Sequence, residues 1–346
     1  MPTNTTRKRK DEHIDINVAQ DVSFLKTSTG LERYRFIHQA LPELNLADID
    51  TSTAFLGHRL QLPLLIASVT GGSNRAGEIN ILLAETAQAF GIGMGLGSMR
   101  AVFEDESAAN TFRVRSVAPD ILLYANLGAV QLNYGYNADS CKKAVEIAEA
   151  DGLMLHLNPV QEALQPEGDG EFSGLLSKIE HVCLALDVPV IVKEVGYGLS
   201  ARTASLLRDA GVSAVDVAGA GGTSWSQVEM YRATEWVQRE VAASFRDWGI
   251  PTADSIIGVR QAVPKLPLIA SGGLTSGIDI AKAIALGADI ATIAGPILRY
   301  AVNDPEHLHA FIEVVAQQLR IAMFASGISN ISELKFTDRI IRMREI

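Results

Sequence analysis

The chain has 346 residues, of which 47% are hydrophobic and 20% charged, so it is long enough for one large globular domain and too apolar to be disordered. The 40 Asp and Glu residues outnumber 30 Lys and Arg, and the formal net charge of -10 disfavours nucleic acid or an anionic membrane as partner. No uninterrupted apolar run reaches the length of about 18 residues that a spanning helix needs, and the polar, then basic start is unlike a secretory signal. We therefore expect a cytosolic enzyme.

Eight short apolar runs follow one another along the chain, each separated from the next by a turn and a stretch with helical periodicity. They cover residues 64–67, 91–95, 121–125, 153–157, 190–192, 214–217, 268–270 and 290–294. Continuous apolar runs indicate strands buried on both faces, as in parallel sheets. The pattern predicts an α/β protein of the (β/α)₈ TIM-barrel class, with a doubly wound open sheet as the alternative.

The spacing of the runs also predicts how the chain is divided. Residues 1–60 form a basic N-terminal arm and a lead-in, residues 61–304 form the barrel, and residues 305–346 form C-terminal helices packed on the same domain. One long gap, between residues 217 and 268, marks an insertion. Its tryptophans, Trp225, Trp236 and Trp248, predict exposed apolar positions that favour assembly with other copies.

Polar and glycine residues follow the predicted strands, at the ends that form the catalytic face of a barrel. Gly272-Gly273 and Ala294-Gly295 come after the last two strands and present bare backbone amides at two helix N-termini, where phosphate groups bind. Neutral groups such as Ser68 and Asn126 suit the edges of a heterocycle. The sequence thus predicts a flat polar ligand with a phosphate tail.

Lys193 ends an apolar run, so a rigid strand delivers its ammonium group to the barrel mouth. Three roles fit this position: a Schiff-base nucleophile, an electrostatic partner of an electron-rich cofactor, or only an ion pair with Glu194.

A carboxylate and a basic run supply the remaining charged candidates. Glu162 follows the fourth strand, and it is either a magnesium ligand that acts with substrate phosphate oxygens or a solvated loop charge. The run Arg7-Lys8-Arg9-Lys10, followed by His13, is either a solvated tail or, folded over the barrel mouth beside Arg100, a clamp for a diphosphate.

Seven motifs stand in order between about residue 7 and residue 336. They are Arg9-Lys10-Asp11-Glu12-His13, Ala67-Ser68-Val69-Thr70-Gly71-Gly72, Gly97-Ser98-Met99-Arg100, His156-Leu157-Asn158-Pro159-Val160-Gln161-Glu162, Val192-Lys193-Glu194-Val195-Gly196, Asp216-Val217-Ala218-Gly219-Ala220-Gly221-Gly222-Thr223 and Ala270-Ser271-Gly272-Gly273. Each motif alone is weak, but the ordered set resembles the type II isopentenyl-diphosphate isomerases. In that family an FMN-binding barrel moves the double bond of isopentenyl diphosphate to give dimethylallyl diphosphate, and it requires Mg²⁺ and reduced FMN, usually generated by NADPH.

Carried over by position, the resemblance implies the site residues. FMN contacts fall to Ser68, Val69, Thr70, Ser98, Asn126, Lys193, Thr223, Gly272, Gly273, Ala294 and Gly295. Diphosphate contacts fall to Arg9, Lys10, His13, Ser98, Met99, Arg100, Asn158 and Gln161. Glu162 would hold Mg²⁺, and Gln161, Lys193 and His156 would be the catalytic residues. The resemblance also implies a homo-oligomer, a tetramer or octamer.

Two positions depart from the family pattern. Val69 stands where many relatives have Met, and Thr275-Ser276 replaces a basic residue sometimes found after the glycine pair. The second departure affects a local phosphate contact.

The chemistry assigns a non-redox role to the flavin. Because the isomerisation is redox-neutral, the reduced ring serves to stabilise a developing carbocation and to exchange protons at a ring nitrogen. The protein is expected to offer few carboxylates near the strand exits, so the flavin is the favoured acid and base. Lys193 would stabilise negative charge on the ring, and Gln161 would orient or relay a proton.

Other activities remain alternatives. An FMN-barrel oxidase of 2-hydroxy acids needs a histidine base, yet residues 227–265 contain no histidine. A nucleotide dehydrogenase of this fold needs a loop cysteine, whereas Cys141 and Cys183 fall in predicted helices. A Schiff-base aldolase that uses Lys193 and a non-catalytic flavin carrier are the remaining alternatives.

Overall fold

The computed structural model describes residues 3–343, with side chains from residue 8 onward. The side chain of Arg7, at the start of the predicted basic arm, lies outside the described residues. Residues 3–343 contain twelve strands: β1 Tyr34–Phe36, β2 Thr53–Phe55, β3 His58–Leu60, β4 Leu64–Ile66, β5 Gly93–Gly95, β6 Leu123–Gly128, β7 Gly152–His156, β8 Val190–Lys193, β9 Ala214–Asp216, β10 Leu268–Ala270, β11 Ile290–Ile293 and β12 Ile340–Arg342.

The eight predicted strands correspond to β4–β11, and they close into one parallel barrel in chain order. The ring is completed by β11, which pairs with β4 through Ala291 and Leu64, Thr292 and Leu65, and Ile293 and Ile66. The (β/α)₈ prediction is therefore confirmed, and the open sheet is excluded.

Between residues 3 and 343 the chain also forms fourteen α-helices: α1 Thr3–Ala19, α2 Asn74–Phe90, α3 Arg100–Glu104, α4 Ala138–Ala148, α5 Pro159–Leu164, α6 Leu175–Ala185, α7 Ala201–Asp209, α8 Trp225–Arg232, α9 Trp236–Ser244, α10 Thr252–Ala262, α11 Gly277–Ala285, α12 Gly295–Asn303, α13 Leu308–Ala325 and α14 Ile331–Leu334. Local signals set several boundaries. Ser73 caps α2 by accepting the amide of Ala76, and Gly91 ends that helix with a φ of 59°, a conformation that costs glycine little.

Apolar side chains fill the barrel and plug its amino-terminal end. Tyr124, Met154 and Ile191 are buried inside the ring, and Phe55 and Leu60 from the β2–β3 hairpin pack against the same cluster. Ligands are therefore left with the carboxyl ends of the strands, where the polar residues lie.

Helix α1 lies over those carboxyl ends. It contacts α3, α8 and α12, and polar contacts fix its outer face: Ser73 donates to Asp11 at 2.7 Å, and Arg75 pairs with Asp15 at 2.6 Å. The predicted arm is thus a helix that covers the barrel mouth.

The C-terminal region contains the two predicted helices, α13 and α14, and one unexpected strand. β12 pairs antiparallel with β1, which ties residues 340–342 to residues 34–36. The division into residues 1–60, 61–304 and 305–346 stays a prediction. Among residues 3–343, no helix combines the length and the apolar character needed to cross a membrane.

Candidate active site

A cavity of about 650 Å³ opens at the carboxyl ends of the barrel strands beneath α1, within the size range of small-molecule sites. All the predicted site residues except Met99 line it. These are Arg9, Lys10, His13, Ser68, Val69, Thr70, Ser98, Arg100, Asn126, His156, Asn158, Gln161, Glu162, Lys193, Thr223, Gly272, Gly273, Ala294 and Gly295.

Met99 departs from its predicted place. Its apolar side chain is fully buried in the hydrophobic core, where burial is favourable, instead of facing the cavity. Its amide donates to the carbonyl of Asn126 at 2.8 Å, so it links the segment after β5 to β6.

Glycines form one end of the cavity. Gly272 and Gly273 have φ values of 99° and 74°, and a Cβ on Gly272 would overlap the backbone of Gly219. These glycines therefore allow two loops to pack against each other as well as exposing amides. The neighbouring helix α12 starts at Gly295 without a side-chain cap, which leaves the amide of Gly295 available to an anion, whereas Pro296 has no N–H.

Lys193 lies in the barrel mouth and does not form the ion pair with Glu194 that was one of its three possible roles. Its Nζ donates to the carbonyl of Glu194 at 2.7 Å, while the Glu194 carboxylate accepts from the amides of Val195, Gly196 and Tyr197. Burial lowers the pKa of Lys193, and the negative charges of Asp216 and Glu194 oppose that shift. The ion-pair-only alternative is therefore wrong.

His156 and Asn126 form a second polar pair in the mouth. Nδ1 of His156 lies 2.8 Å from Oδ1 of Asn126, and because an amide oxygen only accepts, Nδ1 carries the proton. Burial lowers the pKa of His156 to about 3, helped by the positive charges of Lys193, Lys10 and Arg9. The imidazole is therefore neutral at physiological pH.

Glu162 is buried among amide groups. Its Oε1 accepts from Nδ2 of Asn158 at 2.8 Å, and its Oε2 accepts from Nε2 of Gln165 at 2.5 Å and from the amide of Asp169 at 2.7 Å. The solvated-charge alternative for Glu162 is wrong. The amide donors hold the carboxylate in a fixed orientation at the cavity wall.

Positive groups from α1 and α3, which contact each other, line the cavity. Arg9 lies 3.8 Å from Glu167, and Arg100 pairs with Asp169 at 2.7 Å. Burial, together with the neighbouring positive charges of Arg9 and Arg100, lowers the pKa of Lys10 to about 8. A bound anion would stabilise the charged form of Lys10.

Helix α8 supplies partners that were not predicted from the sequence. Glu229 lies 3.2 Å from Nε2 of His13, pairs with Arg232 at 2.6 Å and accepts from Nε2 of Gln161 at 3.3 Å. Trp225, predicted to be exposed, lines the cavity with its ring 5.2 Å from that of His13. Helical periodicity alone carries no signal for these contacts.

The expectation of few carboxylates near the strand exits is also wrong. Glu162, Glu194 and Asp216 are buried at or just after the strand ends, and Glu229 is buried on α8. Asp216 accepts from Oγ of Ser271 at 2.6 Å and from the amide of Ala218 at 3.2 Å. In the sequence, Asp216 is recognisable as a charged residue inside an apolar run. Since donors already hold all four carboxylates, their presence does not by itself provide a free base.

Several polar atoms at the cavity have no partner. Thr70 Oγ1, Thr292 Oγ1 and Asn158 Oδ1 are buried without a hydrogen bond, a costly arrangement that a ligand relieves. Within residues 3–343, no group of three or more His, Cys, Asp or Glu side chains is arranged to hold a metal ion. A metal at Glu162 would need other ligands, as substrate oxygens provide.

Comparison with known proteins identifies the class of this barrel. The family model described as FMN-dependent dehydrogenase matches residues 4–153 and 175–340. Two mandelate oxidase structures cover 99% of the chain and 99% of their own, with TM-scores of 0.66 and 0.65 at 17% and 18% identity. The protein is an FMN-dependent-dehydrogenase-type barrel.

Closer relatives define the family. The chain is 50% identical over 339 residues to the isopentenyl-diphosphate delta-isomerase of Nostoc sp., covering 98% of this chain and 97% of that one. It is 51% identical over 339 residues to the Rickettsia bellii protein of the same name, covering 98% of each. The chain belongs to the isopentenyl-diphosphate delta-isomerase family.

Proposed function

We propose that the protein isomerises isopentenyl diphosphate to dimethylallyl diphosphate, with FMN reduced by NADPH and with Mg²⁺ on the diphosphate. One observation carries the proposal: the cations Arg9, Lys10 and Arg100 line the same cavity as Lys193 and the glycine amides at its phosphate-binding end. A diphosphate and a phosphorylated flavin are the two anions that such a cavity suits.

The residues present fit FMN. The cavity has the volume of a cofactor site, and Thr70 and Thr292 offer buried hydroxyl groups without partners. When bound, the reduced flavin supplies an electron-rich ring that stabilises positive charge on the substrate and a ring nitrogen that exchanges protons. Lys193 provides a fixed positive charge for the anionic ring.

The residues around the substrate have distinct proposed roles. Gln161 is held on both sides, since its Oε1 accepts from Asn158 at 3.1 Å and its Nε2 donates to Glu229 at 3.3 Å, so it orients or relays a proton. His156 acts as a neutral imidazole that positions Asn126 and offers Nε2 as an acceptor. An imidazolium acid is not part of the proposal.

The segment that contains the proposed substrate-binding residues, residues 154–174, distinguishes this chain from the wider family. Residues 154–174 fall outside the family-model match, and they contain Asn158, Gln161 and Glu162. This supports a substrate chemistry that the dehydrogenases do not share. Cys141 and Cys183 lie in α4 and α6, and burial raises their thiol pKa values to about 12 and 11, so neither is an activated nucleophile.

The pH dependence of substrate binding should follow Lys10. With a pKa of about 8, its ammonium group is present below that pH and lost above it. We expect KM for isopentenyl diphosphate to rise above pH 8, approaching tenfold per pH unit, with kcat changing less. Lys10→Arg stays charged and should flatten the rise. The control is Lys8→Arg, on the exposed side of α1; an unchanged rise in Lys10→Arg contradicts the assignment.

The magnesium requirement should depend on Glu162. Glu162→Gln removes the negative charge and presents an amide group to the donors that hold the carboxylate. We expect the Mg²⁺ concentration for half-maximal activity to rise about 10- to 100-fold, with FMN binding intact. Glu146→Gln, at an exposed position of α4, is the control. If Mg²⁺ dependence is the same in all three proteins, Glu162 is not the ligand.

The decisive experiment is an anaerobic isomerisation assay. The purified protein should be yellow or become so with FMN, and it should convert isopentenyl diphosphate only after reduction, without net consumption of NADPH per turnover. A protein that cannot be loaded with flavin, or that isomerises equally well when oxidised, contradicts the proposal. Borohydride trapping of a carbonyl substrate on Lys193 would instead favour the aldolase.

We also propose a homo-oligomer, a tetramer or octamer. Trp236 and Trp248 are 73% and 59% exposed, and Val237 and Val241, on the same helix α9 as Trp236, are also exposed. Large apolar side chains grouped on one helix favour contact with another copy. Light scattering of the purified protein measures the state.

A further inference from the structure

The phosphate-binding end of the cavity contains a cation that the family resemblance does not assign. The start of α12 is open: a Cβ on Gly295 would meet only the guanidinium group of Arg299, with Nη1 at 3.7 Å and Nη2 at 3.8 Å. Arg299 lies one turn along the same helix and lines the cavity. Its charge therefore lies close to Gly295, whose amide is the first of the helix.

The adjacent helix α11 offers no such cation. Thr275 and Ser276 stand where a basic residue is sometimes found, and both donate to the carboxylate of Asp279, at 3.1 Å and 2.9 Å. Lys282, further along α11, donates to the carbonyl of Leu31 at 3.0 Å. Among the described residues, the start of α11 therefore offers the cavity no available positive group.

Arg299 itself is uncommitted. It is exposed, and among the described residues it forms no hydrogen bond and no ion pair within 4.0 Å. Its charge acts on Asp21, an exposed carboxylate whose pKa is lowered mainly by hydrogen bonds from Ser23 and slightly by Arg299. Asp21 thus does not hold the guanidinium group in place.

We propose that Arg299 binds the phosphate group of the flavin cofactor together with the amides of Gly273 and Gly295. A phosphate monoester carries close to two negative charges, and a guanidinium group donates to two of its oxygens at once. The inference rests on the proposed function in that the cofactor is FMN. In this arrangement Arg299 from α12 supplies the positive charge that is missing at Thr275-Ser276 after β10.

The test compares FMN with riboflavin, which has the same ring and no phosphate. Dissociation constants are measured by flavin fluorescence quenching on the apoprotein. In Arg299→Gln we expect FMN to bind about 10- to 100-fold more weakly, the range for losing a hydrogen bond between charged groups, and riboflavin to bind as in the wild type. Arg299→Lys, which keeps the charge, should recover part of the loss.

The matched control is Arg208→Gln, an exposed arginine on α7 that pairs with Asp209. It should change neither constant. An Arg299→Gln variant that weakens both flavins equally has a structural defect, and one that weakens neither shows that Arg299 is not a phosphate ligand; both results overturn the inference and leave the proposed function standing. A wild-type protein that binds neither flavin overturns both.

Discussion

Replacing Lys193 by alanine is expected to lower kcat about 100- to 1,000-fold, the usual cost of removing one preorganised group that stabilises charge in a transition state. The ammonium group is buried at the end of β8. It interacts electrostatically with the carboxylates of Asp216 and Glu194, and it donates a hydrogen bond to one main-chain carbonyl. Without it, negative charge on the reduced flavin loses its only assigned counter-charge. The reduction potential of bound FMN should therefore become more negative, which spectroelectrochemistry measures without turnover.

The control for this variant is Lys178→Ala. Lys178 donates to the carbonyl of Leu132 at 2.7 Å, the same kind of bond at the same distance, but it lies away from the cavity lining. It should keep both activity and potential. If Lys193→Ala also keeps its reduced flavin, its potential and its full turnover, the electrostatic role of Lys193 is wrong.

Replacing Gly272 by alanine is expected to abolish FMN binding and to destabilise the fold by about 2–4 kcal/mol. Gly272 has a φ of 99°, and its added Cβ would overlap backbone atoms of Gly219 that cannot move independently. The two glycine loops would have to separate, which displaces the amides at the phosphate end of the cavity. Thermal unfolding and FMN titration measure the two effects.

Gly258→Ala separates this local effect from the general cost of adding a methyl group. Gly258 lies within α10, and its added Cβ would meet only Ala201, at 4.0 Å. Alanine is favoured over glycine in a helix, so this variant should be stabilised by up to about 1 kcal/mol and keep its FMN. Normal FMN affinity in Gly272→Ala would contradict the role given to the glycine loops.

The barrel was predictable because its strands are buried on both faces. Such strands are continuous apolar runs, and each of the eight runs became a strand within a few residues of its predicted bounds. The β1–β12 pair was not predictable, because its two strands are short and about 300 residues apart, and no local pattern encodes a pairing at that distance.

The site was predictable where a residue interrupts an apolar strand or follows its end, as with Lys193 and Asn126. It was not predictable where helices meet. Glu229 contacts the cavity-lining residues His13 and Gln161 where α8 packs against α1, and α1 has few apolar side chains to mark it as a helix. Met99 belongs to a motif that points to the site, but the local fold turns its side chain into the core.

The position of α1 links recognition to shielding. The hairpin of β2 and β3 closes the amino-terminal end of the barrel. The groups proposed to bind the diphosphate, Arg9 and Lys10, lie on the helix that covers the carboxyl-terminal end. In the proposed reaction, the helix that binds the diphosphate also keeps bulk solvent away from the reacting carbons. A carbocation formed beneath α1 would react with water to give an alcohol. The helix that binds the substrate therefore also protects the reaction from this side product.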